Sequence, residues 1–94
     1  MKNKSQAVVL TTKHRGVFFG YLEDSTDDTA TITQARMALY WSKETHGVVG
    51  LAAHGPAVGS KITEAAPRMR LMGVTAIFDA TPDAAAAWER APWT

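Results

Sequence analysis

Residues 6–39, QAVVLTTKHRGVFFGYLEDSTDDTATITQARMAL, decide the fold. Gln6 to Thr12 alternates as a strand, with Val8 and Leu10 on one face and Ala7 and Val9 on the other. Lys13-His14-Arg15-Gly16 is a cationic hairpin tip, and Val17 to Leu22 returns as a second strand. Both faces of that strand are apolar: Phe18, Gly20 and Leu22 share one, and Val17, Phe19 and Tyr21 share the other. Such a strand is buried on two sides. Gly20 lacks a side chain where a tightly coiled strand bends. Glu23 to Asp28 (EDSTDD) is an acidic turn, because Asp, Ser and Thr bond their own backbone there. Thr29 to Trp41 is then the longest strand, bent or bulged along its length. Read without a bulge, it puts Gln34, Arg36, Ala38 and Tyr40 on one face and Ala35, Met37, Leu39 and Trp41 on the core face. These strands predict a mainly β domain, a small and strongly bent antiparallel sheet.

The rest of the chain fills in around them. Residues 1–5 are polar and expected to fray, and 42–60 reads as a long glycine-rich loop. Within it, Gly47-Val48-Val49-Gly50-Leu51-Ala52 suits either a strand or a turn of helix. Lys61 to Ala65 is a short strand ending at Pro67, and Arg68 to Asp79 a longer one with a bulge near Gly73. Thr81-Pro82-Asp83 is a helix start, with a capping hydroxyl, proline at the first helical position and a carboxylate at the positive end of the dipole. A C-terminal helix over 81–91 follows, offering little apolar surface at Ala84 to Ala87 and anchored by Trp88, with Trp93 as a second anchor. No repeat or heptad divides the chain, so 1–94 reads as one domain.

Composition limits the function classes. Ten basic and nine acidic side chains give a net charge of +1, so any anion site must be a local cluster. No cysteine is present, which excludes disulfides and thiolate zinc sites. No apolar run approaches the roughly 20 residues that span a bilayer, and Ala7 to Leu10 is too short for a signal-peptide core. A soluble, cytoplasmic protein is expected. At this size and without covalent staples, self-association is also expected.

The chemistry-bearing residues point to binding rather than to a reaction. His14, His46 and His54 have no local ligand spacing, and Glu23, Asp24, Asp27 and Asp28 lack calcium-loop spacing; no metal and no cofactor is predicted. There is no nucleophile elbow, and residues 55–61 depart from a phosphate-binding loop in glycine spacing, with serine preceding Lys61. An enzyme is not expected. Arg36 with Tyr40 on one strand face, and Trp41 beside them, combines a bidentate cation with stacking rings, which is what a phosphate-and-base ligand needs. The alternative is an arginine paired with a carboxylate across the sheet. Lys13, His14, Arg15 and Lys61 supply further cations to the same expected ligand set, and Arg68 and Arg70 alternate on an exposed strand face. Val17, Phe19 and Tyr21 form the expected interface between copies.

The first half resembles the Sm-like branch of small β-barrels, on Val8 and Leu10, the Arg15-Gly16 turn, Gly20-Tyr21-Leu22 and the acidic turn at Asp27-Asp28. Val74 to Phe78 supplies a late closing strand. The resemblance implies a five-stranded SH3-like barrel and a tendency to form rings. Ala30 and Thr31 stand where that family has its RNA-binding asparagine, so its uridine site does not carry over. The whole chain also looks like a set of small tailed-phage and prophage proteins, on residues 14–22, Ala35-Arg36-Met37, Tyr40-Trp41 and Ala91-Pro92-Trp93. Together these readings predict a non-enzymatic, oligomeric binder of nucleotides or short single-stranded RNA. For a phage protein of this kind the expected role is an anti-defence sponge for cyclic-nucleotide signals. The alternative function is a structural or protein-interaction module, a virion accessory or an inhibitor of a host protein.

Overall fold

The computed structural model describes residues 6–13, 16–41, 47–57 and 59–91. The expected fraying of 1–5, the roles given to His14, Arg15 and His46, and the second anchor Trp93 lie outside them. Elements follow the order β1 (Ala7–Thr12), β2 (Val17–Ser25), β3 (Thr29–Tyr40), α1 (Gly47–Ala53), β4 (Lys61–Ile62), β5 (Ala66–Met72), β6 (Val74–Asp79) and α2 (Pro82–Arg90).

The three opening strands form as their alternation predicts. β1 pairs β2 in the register Ala7↔Tyr21 to Thr11↔Val17, and β2 pairs β3 from Phe18↔Met37 to Ser25↔Ala30. A bulge in β3 breaks the second ladder: Phe19 opposes Arg36, but Tyr21 opposes Thr33. Gln34, at φ 50°, takes up the extra residue. The bulge reverses the alternation. Ala30 and Ile32 before it, and Ala35 after it, face the same core, while Leu39, expected inside, is 53% exposed and Ala38 is buried instead.

Two expectations of architecture are overturned. Among the described residues the sheet has six strands rather than five, in the order β4-β3-β2-β1-β6 with β5 also pairing β3, and it does not close into an SH3-like or Sm-like barrel. The expected single strand over 68–79 is two strands on different partners: β5 pairs β3 from Thr29↔Met72 to Ala35↔Ala66, and β6 pairs β1. Gly73, at φ 73°, makes the corner between them, a conformation that residues with a Cβ rarely adopt. Among the described residues there are also two helices rather than one, because the apolar run at 47–53 closes as α1. Its last turn ends in main-chain bonds from His54 and Gly55 N–H to the Gly50 carbonyl at 2.7 and 3.1 Å, as helix ends with a left-handed glycine do.

Each face of the sheet has its own core. Val8, Leu10, Ala30, Ile32, Ala35 and Leu71 fill the side around which the sheet coils. Val9, Val17, Phe19, Ala38 and Ile62 face both helices, meeting Leu51 and Ala52 of α1 and Ala84 and Trp88 of α2. Ala84, read from sequence as contributing little burial, is fully enclosed. The strand buried on two sides is therefore satisfied within one chain. Val17 and Phe19, the expected interface between copies, are 5% and 1% exposed beneath the chain's own helix layer, and half-buried Tyr21 packs beside them. That interface is withdrawn.

Trp88 is the keystone of the helix layer. Its ring stacks on Phe19 at 5.1 Å between centroids and 9° between planes, and its Nε1 donates to the Leu51 carbonyl at 3.1 Å. Thr81 joins the two helices: its hydroxyl accepts from Ala84 N–H at 3.0 Å, capping α2, and donates to the Ala53 carbonyl at 2.7 Å. Trp88→Ala removes the stack, the volume and the bond to α1 together. We expect a loss of about 3–5 kcal/mol, read as a lower urea midpoint by far-ultraviolet circular dichroism.

Candidate functional site

Arg36 occupies a different environment from the one its sequence position implies. The β3 bulge turns it toward the helix layer, where it is 7% exposed. Its Nε donates to the Thr63 carbonyl at 2.7 Å, and its Nη1 donates to the carbonyls of Trp88 at 2.6 Å and Glu89 at 3.4 Å. Trp88 and Glu89 belong to the last turn of α2, where carbonyls run short of helical donors; the Trp88 carbonyl also accepts from the C-cap Ala91 N–H at 3.3 Å. A cation there also meets the negative end of the helix dipole. Arg36 thus caps α2 from the sheet and fixes the segment after β4. Burial pulls its pKa below the usual guanidinium range, since desolvation disfavours the charged form. Neither the ligand clamp nor the cross-sheet carboxylate partner expected for it describes these contacts.

The other expected binding residues divide into two groups. Tyr40 and Lys61 are register partners at the ends of β3 and β4, both exposed, with the Tyr40 side chain 55% open. Trp41 follows directly, half-buried against the helix-side core. Lys13 is exposed at the end of β1, where its N–H donates to the Gly73 carbonyl at 2.9 Å. The ladders β1–β2, β2–β3 and β3–β4 run Thr11↔Val17, Phe18↔Met37 and Ala38↔Ile62 at this end, so Lys13, Tyr40, Trp41 and Lys61 belong to one end of the sheet. The described cation in register with Tyr40 is Lys61, not Arg36.

Further cations lie elsewhere. Arg68 pairs with Glu23 at 2.9 Å on an exposed surface, a contact of small energetic value. Arg70 stands beside it in a shallow depression with Thr31 and Met69. A second open cleft of about 290 Å³ separates Pro56, Gly59 and Ile62 from Ala87 and Arg90 on α2. Sequence reading passed over Arg90 because a cation in the last helical turn is explained by the dipole alone. No group of three or more metal-ligating side chains occurs among the described residues. No helix among them is long and apolar enough to cross a membrane.

Tyr21 and Glu89 form a polar pair that no local pattern connects: the Tyr21 hydroxyl donates to Glu89 Oε2 across the sheet–α2 boundary. Burial first, and then the Glu89 carboxylate, push the phenol up to about 12. Both disfavour the phenolate, so the folded chain holds this proton more tightly than the unfolded one. The associated stability is complete below pH 10 and is lost between pH 10 and about 12. Ultraviolet titration at the phenolate band should show one tyrosine ionising near pH 12, moving down in Glu89→Gln. Arg36→Met should cost about 1.5–3 kcal/mol by urea denaturation, the scale of hydrogen bonds to a charged group.

Comparison with known proteins gives a family but no activity. No curated protein and no solved structure matches the chain. Residues 5–88 match the family described as Domain of unknown function (DUF6948). The set of tailed-phage proteins suggested by His14 to Leu22 and Ala91 to Trp93 is replaced by this assignment, and the Sm-like resemblance falls with the open sheet. Because the match spans nearly the whole sequence, from before β1 to Trp88 of α2, the chain belongs to the DUF6948 family.

Proposed function

We propose that this domain is a binding module for nucleotides or short single-stranded RNA, working in the cytoplasm without a reaction of its own. The observation that supports this reading is the Tyr40–Lys61 register pair, an exposed ring beside an exposed ammonium at the end of the sheet that also carries Lys13 and Trp41. A base stacks on the phenol ring, and the phosphate next to it meets the ammonium. Lys13 adds a cation at the same end, and His14 and Arg15 follow it in sequence. The net charge of +1 favours a short ligand over a long polyanion, which would need a broad basic surface. Arg36 takes no part, since its guanidinium is committed to main-chain carbonyls.

A second reading, a protein-interaction module, is favoured by exposed apolar side chains at Leu39, Met72 and Ile77. Titration calorimetry separates the two. Mononucleotides, cyclic dinucleotides and a short oligouridine should include at least one binder. Tyr40→Ala should weaken it by about 1–3 kcal/mol, the worth of one base–ring stack. Lys61→Glu should weaken it further at low salt, while folded Arg36→Met protein should bind normally. Uniform absence of heat across the panel would leave the interaction module standing alone.

A further inference from the structure

We infer that β6 is a self-pairing edge, through which two copies of this chain join antiparallel about an axis at Ile77. Among the described residues β6 ends the sheet path and ladders only with β1, and of its outward groups the Val74 N–H is already taken, by the Asp28 carbonyl at 2.8 Å. The direction of its free hydrogen-bonding groups follows from register. Thr12 N–H donates to the Gly16 carbonyl and Leu22 N–H to the Gln6 carbonyl, so even-numbered residues of β1 bond toward β2. Ala80 N–H donates to the Ala7 carbonyl, so odd-numbered residues bond toward β6. Val9↔Phe78 and Thr11↔Ala76 are therefore the bonded pairs, and the N–H and C=O groups of Ile77 and Asp79 point away from the sheet.

Unpaired edges invite another strand unless they are short or guarded by proline, lysine or like charge. The other edge elements carry such guards: β4 has two residues, and β5 carries Pro67, Arg68 and Arg70. β6, VTAIFD, has none of these and leaves Ile77 40% exposed.

Its pattern is also self-complementary. Antiparallel pairing about Ile77 sets Ile77 against Ile77 of the second copy and sets the exposed Thr75 against Asp79 in both directions. The isoleucines cover one another, and each threonine, whose hydroxyl hydrogen-bonds the Thr11 hydroxyl at 2.7 Å within its own chain, is set opposite a carboxylate. No carboxylate faces a carboxylate. The strand is short, so the dimer is a weak one, formed at high protein concentration.

Sedimentation velocity on the full chain across a wide concentration range tests this, with amide hydrogen exchange as a second readout. Wild type should pass from monomer to dimer as concentration rises. The Ile77 and Asp79 amides should become slower to exchange over that range, while those of Ala76 and Phe78, already bonded to β1, should not change. Ile77→Lys brings two ammonium groups together on the axis and should weaken association by about tenfold or more, with an unchanged circular dichroism spectrum. Thr75→Lys faces Asp79 with an opposite charge and should strengthen it. A wild type that stays monomeric at about millimolar concentration overturns the inference, as does an Ile77→Lys variant that associates like wild type.

Discussion

The architecture turns on the contact between Phe19 and Trp88. A strand apolar on both faces needs cover on both, and the coiling of the sheet supplies only one. The second cover must come from elsewhere. Here it comes from the far end of the chain, where the indole lies flat on the phenyl ring and its N–H reaches into α1. That placement fixes α2 across the sheet and leaves the last carbonyls of the helix directed back at β3.

Arg36 follows from that geometry. Once the end of α2 comes within reach of β3, a guanidinium rising from the strand adds donors to its last carbonyls, where the Ala91 N–H alone reaches Trp88. Tyr21 and Glu89 make a second polar join across the same boundary. An apolar contact thus sets the position of the helix, and directional polar contacts set its angle and end. The two kinds of interaction are complementary: stacking tolerates sliding and rotation, whereas a bond to a particular carbonyl does not.

With α2 covering one face, the surfaces left for partners are the rims of the sheet. The ends of β3 and β4 present a ring and a cation, and β6 presents an unpaired backbone. The clefts that remain are open and shallow, bordered mainly by one or two arginines with small or apolar neighbours. Binding as proposed for this domain would use edges and exposed side chains rather than an enclosed pocket.

Local pattern was enough to determine the strands of the first half and the capped start of α2, because alternation and capping each act within a few residues; the acidic turn it set at Glu23 to Asp28 is shorter, Thr26 to Asp28, because β2 runs on to Ser25. It also determined that β2 is buried twice and that Trp88 is an anchor. It did not determine what covers β2, because a second copy and the chain's own helix satisfy the same hydrophobic demand. Nor did it determine the role of Arg36, since the bulge at Gln34 reverses which face that side chain occupies and the carbonyls it bonds belong to a helix more than fifty residues away. Barrel closure failed for a related reason: Gly73 marks a corner in the sequence, but which edge each half joins is a choice of long-range pairing. Composition and short-range spacing settle what each segment is, and only tertiary packing settles which segments meet.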